Sequence, residues 1–97
     1  MGITRSSIVV STAGRDKDKL FFAVELDGEY ALIADGKARR LGQPKRKKLK
    51  HLRFVSQSDS RVAEKIRTGD KVLDSEIRRA LAAFRQEFEG QLPRGGN

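Results

Sequence analysis

The chain contains no cysteine, no tryptophan and a single histidine, His51. Without thiols it can form neither disulfide bonds nor thiolate–metal sites. One histidine between Lys50 and Leu52, with no second imidazole and no carboxylate close by in the sequence, is a poor basis for a metal site or for acid–base catalysis. The sequence therefore predicts no catalytic residue, no metal site, no cofactor and no small-molecule substrate.

Long apolar runs are also missing. No stretch approaches the roughly 20 apolar residues that cross a bilayer, and the first 14 residues hold only the short apolar run 8–10. That run is too short for a signal peptide. We therefore expect a cytoplasmic protein without a membrane partner, and 97 residues suit one domain.

Positive charge is what the sequence has in excess: the net charge is +8 and the pI is about 10.3. Nine Lys and Arg residues and no acidic residue lie between residues 37 and 53, whereas the other 80 residues hold 12 basic and 13 acidic ones. Concentrating one sign in one segment costs self-repulsion and creates a steering field. This pattern favours a polyanion partner over the alternative, a merely solubilising face.

Short antiparallel strands are predicted over the first half of the chain. Residues 7–12 include a β-branched run, which favours a strand. Leu20, Phe22, Val24 and Leu26 follow with a period of two, as expected of a half-buried strand.

Two Asp-Gly pairs divide this region into a meander. Asp27-Gly28 and Asp35-Gly36 suit tight turns that need positive φ angles. Five short strands on so small a chain most economically close into a barrel, because closure removes exposed sheet edges. The other predicted elements are strands over residues 30–34, 37–41 and 49–55, and a solvated basic loop over residues 45–48.

The second part of the chain has helical periodicity. Val62 and Ile66 are four apart, residues 58–60 can cap a short helix, and Gly69 can end it. A longer helix is predicted over residues 75–88, with Asp74 as its N-cap. Its apolar stripe should dock on the open side of the barrel, with a partner helix as the alternative. The stripe consists of Ile77, Leu81, Phe84 and Phe88.

Residues 7–17, Ser-Ile-Val-Val-Ser-Thr-Ala-Gly-Arg-Asp-Lys, resemble the start of a KOW motif, a strand–loop–strand unit with a glycine in its loop. Residues 34–37 and 44–52 resemble the second signature of the same family. Together they resemble KOW-containing RNA-binding proteins of bacteria that are similar to the archaeal and eukaryotic L-fourteen-e group of large-subunit ribosomal proteins. Asp18 departs from the motif, which often has a second glycine there, but Asp tolerates a left-handed backbone.

This resemblance implies a mainly β fold, a five-stranded SH3-like (KOW) barrel with one or two C-terminal helices, that binds RNA. The barrel would occupy residues 1–56, a helical extension packed on it residues 57–89, and a flexible tail residues 90–97. The expected partner is large-subunit rRNA, with ribosomal proteins as further contacts.

Physical chemistry supports phosphate contacts at the same residues. Gly14 lets the loop backbone come close to phosphate, and the cations around it and in the basic segment would form charge-assisted hydrogen bonds. Arg39 and Arg40 should point to opposite faces of a strand, so that one contacts RNA while the other pairs with an acid. The predicted RNA-binding residues are Gly14, Arg15, Lys17, Lys19, Lys37, Arg39, Arg40, Lys45, Arg46, Lys47, Lys48, Lys50, His51 and Arg53.

Two other functions fit the same sequence. A protein-interaction adaptor would use the barrel and the apolar helix stripe as docking elements. A transcription-associated nucleic-acid-binding protein is the second, since KOW units also occur there. Phe21 and Tyr30 either stack on unpaired bases or, as the simpler interpretation, pack under the C-terminal helix.

Overall fold

A computed structural model describes residues 2–58 and 60–91. Its five strands form one antiparallel sheet with the order β4-β3-β2-β1-β5. Two helices follow the sheet in the chain. The elements are β1 Ser7–Ser11, β2 Leu20–Asp27, β3 Tyr30–Ala34, β4 Lys45–Lys48, a 3-10 turn Leu49–His51, β5 Leu52–Gln57, α1 Arg61–Thr68 and α2 Asp74–Gln91.

The β2–β3 hairpin confirms the first predicted turn, displaced by one residue. Asp27 pairs with Tyr30, so the two loop residues are Gly28 and Glu29. Gly28 has φ +60°, and a glycine at the first loop position is the signature of a type II′ turn. The Asp-Gly pair therefore identified the hairpin but not the residues of its loop.

The predicted strand over residues 37–41 is wrong. The Asp35 side chain accepts hydrogen bonds from the backbone N–H groups of Lys37 and Arg39, at 2.9 and 2.8 Å. The N–H groups of Asp35 and Gly36 in turn donate to the Arg39 carbonyl. An Asp that binds the backbone two residues on stabilises a turn, and these bonds occupy donors that a sheet ladder would need.

The basic segment 45–48 is a strand and not the predicted solvated loop. It is β4, an edge strand that pairs with β3 through Leu32–Arg46 and Ile33–Lys45. Three of its four residues are exposed. Lysine-rich edge strands are a common protection against edge-to-edge association, and an edge strand in water does not need the apolar alternation that predicts strands.

The predicted strand over residues 49–55 begins later, at Leu52, after the 3-10 turn Leu49–His51. This turn joins the two edge strands of the sheet. From Lys48 to Leu52 an extended chain spans at most about 14 Å, whereas the edges of a flat five-stranded sheet lie about 19 Å apart. The sheet must therefore be curled, although the ladders among the described strands end at β4 and β5, which do not pair with each other.

Both faces of the sheet are buried. Phe22 lies in a cluster with Ile8 and the helices, whereas Phe21 lies with Val9 in a second cluster on the opposite face. Both phenylalanines are fully buried, so the prediction of a half-buried strand is wrong for this part of β2. Neither α1 nor α2 contributes to the second cluster; Ile3 of the N-terminal segment and Leu49 of the 3-10 turn pack against it instead. Its other buried members are Ala31, Ile33 and Leu52.

The first helix confirms its predicted ends. The Ser60 hydroxyl accepts a hydrogen bond from the backbone N–H of Ala63 at 3.2 Å, as an N-cap does. Gly69 ends the helix with φ +81° in the left-handed region, where glycine pays no steric penalty. Asp59, the third residue of the predicted capping segment, lies outside the described residues.

The second helix docks on the sheet as its stripe predicted. Ile77 and Leu81 are buried in the cluster with Phe22, and Phe84 packs at its edge. The side chain of Phe88 lies outside the described part. Ile77 and Leu81 of the stripe thus belong to the core of this chain.

The start of α2 differs from the prediction. Leu73 precedes the helix, and its N–H donates to the Glu76 carboxylate at 3.0 Å, which is one half of a capping box. The carboxylate of Asp74, the predicted N-cap, instead accepts a hydrogen bond from the backbone N–H of Leu41 at 2.8 Å. The helix continues to Gln91, and the remainder of the predicted tail, residues 92–97, lies outside the described residues.

The predicted fold is therefore confirmed in its main features: a mainly β protein of five antiparallel strands with two C-terminal helices. No helix in the described part of the chain has the length and apolar character that a bilayer crossing requires.

Candidate nucleic-acid interface

The β1–β2 loop, residues 12–19, has the backbone that its sequence predicts. Gly14 and Asp18 have φ angles of +78° and +71°, so Asp18 does take the left-handed conformation. The Asp18 N–H donates to the Ser11 carbonyl at 2.7 Å. The loop is thus tightly folded, and its three predicted cations, Arg15, Lys17 and Lys19, are exposed.

A buried ion pair ties this loop to the β3–β4 loop, residues 35–44. Asp16 is only 5% exposed, and its Oδ2 accepts hydrogen bonds from Nε and Nη2 of Arg39, at 3.1 and 2.9 Å. The prediction that one of the two neighbouring arginines pairs with an acid is consistent with this geometry, although the segment is not a strand. Arg39, a predicted RNA contact, thus has a carboxylate partner, whereas Arg40 is exposed and donates from Nε to the Lys37 carbonyl at 3.4 Å.

Lys47 makes a second connection to the same loop. Its Nζ donates to the carbonyl oxygen of Ala13 at 2.6 Å, and the side chain is half-buried. A lysine held in this way positions the β1–β2 loop against β4. The two loops and β4 therefore form one connected unit, which brings together the two segments that carry the predicted cations.

Arg46 of β4 is also engaged. Its guanidinium carbon lies 3.7 Å from the centre of the Tyr30 ring, a cation–π distance, and its Nη2 lies 3.5 Å from the Asp27 carboxylate. The Tyr30 ring therefore has one face against a cation of the same chain. Phe21, the other aromatic residue considered for stacking, is fully buried in the second cluster, so it neither reaches a base nor packs under a helix.

A cavity of about 690 Å³ opens between the β3–β4 loop and β4. We call it the basic cavity, since the described residues that line it include four cations and a single acidic residue, Asp74. The Oδ1 atom of Asp74 accepts a hydrogen bond from the Leu41 N–H. Arg40 and Lys45 are exposed, and neither forms an ion pair within the described ranges. The four cations are Arg39, Arg40, Lys45 and Arg46.

The remaining predicted residues lie around this cavity and not in it. Lys48 and Lys50 line a smaller cavity beside Tyr30. The carbonyl of His51 accepts a hydrogen bond from the Thr12 N–H at 2.9 Å, so His51 supports the β1–β2 loop through its backbone. Arg53 is exposed on β5. The cations Lys19 and Lys37 line a separate cavity that also contacts the β3–β4 loop.

That separate cavity contains two cations that the sequence analysis missed, Arg78 and Arg85 of α2. They are seven residues apart, which places them on one side of a helix, and this spacing is the signal that was available. Their position beside Lys19 and Lys37 depends on how α2 docks, which the spacing does not reveal.

This arrangement suits anion binding by exposed cations on a rigid support. Arginine and lysine side chains form charge-assisted hydrogen bonds with phosphate oxygens. Among the described residues, no group of three or more His, Cys, Asp or Glu side chains is placed to hold a metal ion.

A comparison of the sequence with known proteins finds no family model that matches it and no curated protein significantly similar to it.

Proposed function

We propose that this protein binds RNA through the phosphate backbone, with the basic cavity as its principal contact. The observation that carries the proposal is that cavity: four cations from the β3–β4 loop and β4 line it, and Asp74, the single acidic residue in the described part of its lining, is already hydrogen-bonded. Phosphate contacts supply most of the sequence-independent affinity of nucleic-acid-binding proteins.

Preorganisation supports the same proposal. The Arg39–Asp16 pair and the Lys47–Ala13 hydrogen bond hold both loops against β4 before any ligand arrives. A rigid site loses less conformational entropy on binding than a flexible loop does. Arg39 and Lys47 therefore support the site. We assign the phosphate contacts to the side chains of Arg40 and Lys45.

We further propose that the curled sheet is an SH3-like barrel of the KOW type, as the resemblance of residues 7–17 and 44–52 implies. Two features of the fold are in its favour. Both faces of the sheet are buried, and a short 3-10 turn brings the edge strands β4 and β5 together. Small barrels fill their interior with side chains in this way.

The proposed RNA is that of the large ribosomal subunit. Sucrose-gradient fractionation of a lysate at low and high salt tests this part, with the protein followed by immunoblot. We expect comigration with large subunits at low salt and release at high salt. Residence in the light fractions under both conditions would contradict the ribosomal assignment, and comigration with RNA polymerase would favour the transcription-associated function instead.

Direct binding measurements test the phosphate contacts. We expect the affinity for an RNA hairpin, measured by fluorescence anisotropy, to fall steeply with salt. If about five phosphates are neutralised, log K against log salt has a slope of about −3.5 to −4.5. A flat salt response would refute the proposal.

A pair of double variants with equal net charge locates the contacts. Replacing Arg40 and Lys45 by Gln should make the slope shallower by about 1.5 to 2, because about two phosphate contacts are lost. Replacing Arg61 and Lys71 by Gln should leave it unchanged. All four residues are exposed, so both variants should fold, and equal slopes would show that the basic cavity is not the contact.

A further inference from the structure

A second cationic groove adjoins the basic cavity, since Ala38 of the β3–β4 loop lines both. Its volume is about 470 Å³, and it is lined by side chains from the β1–β2 loop, the β3–β4 loop and α2. We call it the α2 groove. Asp35 is the only acidic side chain among the described residues that line it, and one of its carboxylate oxygens accepts two backbone N–H groups. The cations of the groove are Lys19, Lys37, Arg78 and Arg85.

The helix holds its two arginines at a fixed spacing. Arg78 and Arg85 are two turns apart, about 10 Å along the axis. Arg78 is fixed further, because its Nη1 donates to the carbonyl of Gly36. Arg85 is exposed and makes no hydrogen bond or ion pair with any side chain that the structure describes. Of the two α2 arginines that line the groove, Arg85 is therefore the one available to a ligand.

The two cationic cavities share one wall. Ala38 of the β3–β4 loop lines both of them, and each has further lining residues from the same loop. The side chains of Lys37 and Ala38 are exposed on this loop. The loop is also rigid at its base, where Asp35 and Arg39 are hydrogen-bonded to each other and Arg39 to Asp16.

We propose that the α2 groove binds a second segment of phosphate backbone, so that the ligand is double-stranded RNA whose two strands lie on either side of the β3–β4 loop. This inference rests on the proposed function and specifies its substrate. A duplex presents two backbones at a fixed separation across a groove. The minor groove of an RNA duplex is wide and shallow and is recognised through phosphates and 2′-hydroxyls, which suits a loop with a small residue at Ala38. A single strand presents one backbone and needs only one of the two cavities.

The test compares two single-charge variants on two ligands. Arg85→Gln removes the arginine of the α2 groove that has no partner among the described side chains. Arg79→Gln removes an exposed cation of the same helix that does not line the groove. Affinities are measured by fluorescence anisotropy for an RNA hairpin and for an unpaired RNA strand of the same length. Circular dichroism checks that both variants fold like the wild type.

We expect Arg85→Gln to weaken hairpin binding about threefold to tenfold, the effect of one phosphate contact near physiological salt, and to leave binding of the unpaired strand unchanged. Arg79→Gln should change neither. Equal hairpin affinities for the two variants would overturn the α2 groove as a phosphate site. Equal weakening on both ligands would overturn the duplex as the substrate.

A third variant separates this inference from the proposed function. Lys45→Gln removes a cation of the basic cavity and should weaken binding of both RNAs. If it does so while Arg85→Gln has no effect, RNA binding stands and the duplex inference fails. If the wild-type protein binds neither RNA, the proposed function itself fails.

Discussion

Replacing Gly36 by Ala tests the docking of α2 on the β3–β4 loop, on which the α2 groove depends. Gly36 is buried and has φ +77°. A Cβ atom at this position would overlap the carbonyl oxygen of Asp74 and lie 3.1 Å from Cγ of Arg78. The substitution therefore strains the backbone and also pushes on the first turn of the helix.

Two costs add at this position. A left-handed conformation costs a non-glycine residue about 1–2 kcal/mol, and forcing an extra carbon into packed structure costs about 1–3 kcal/mol more. The overlapping atom belongs to the backbone and cannot rotate away as a side chain would. We therefore expect Gly36→Ala to lower the free energy of unfolding by about 2–5 kcal/mol.

Gly69→Ala is the matched control. Gly69 has φ +81° and ψ +13°, in the left-handed region, but a Cβ there would meet no atom within 4 Å. Only the conformational cost of about 1–2 kcal/mol applies. The difference between the two variants isolates the packing of Gly36 against α2.

Urea denaturation followed by circular dichroism measures both free energies, and thermal melting gives a second reading. In a domain of this size each kcal/mol lowers Tm by about 4–8 °C, so Gly36→Ala should melt well below Gly69→Ala. Equal stabilities for the two variants would refute the close approach of Gly36 to Asp74, and with it the placement of α2 beside the loop.

Two further predictions concern carboxylates that tie elements together. Asp16→Asn should lower the free energy of unfolding by about 1.5–3 kcal/mol, because it weakens charged hydrogen bonds to Arg39. Urea denaturation measures this change, with Asp18→Asn at an exposed position as the control. The control should lower the free energy of unfolding by about 0.5 kcal/mol or less. The hydrogen bond from Lys65 and that from the Leu73 N–H hold the pKa of Glu76 below its ordinary value of 4.5. The unfolded state therefore binds this proton more readily, so the stabilisation is complete above about pH 4.5 and is lost as pH falls through the lowered pKa. When unfolding is measured across this range, the free energy of unfolding should fall less steeply with acid in Glu76→Gln than in the wild type. Identical pH profiles would contradict this prediction.

Elements with local signals were predictable from the sequence. Ser60 and Gly69 bound α1 because a hydroxyl cap and a left-handed glycine act on backbone groups within a few residues. The positive φ angles of Gly14 and Asp18 follow in the same way from residue types that tolerate the left-handed region. The apolar stripe of α2 likewise predicted a docked helix, and Ile77 and Leu81 are buried.

The errors fall where partners distant in sequence decide the structure. Residues 45–48 have no apolar alternation, and they form a strand because β3 offers its free edge. Leu26 leaves the face of Phe22 because an irregularity between Ala23 and Glu25 changes the register of β2. A pattern of period two cannot predict such a shift, since it depends on the pairing strand.

The candidate site divides in the same way. The sequence by itself determined the sign and position of the charge, because nine cations without an acidic residue lie in one segment. Only the tertiary structure decided which cations are free: Arg39 is taken by Asp16, 23 residues away, and Lys47 by Ala13, 34 residues away. It also placed Arg85 beside Lys19. Charge is a property of each residue, whereas its availability depends on neighbours that folding brings together.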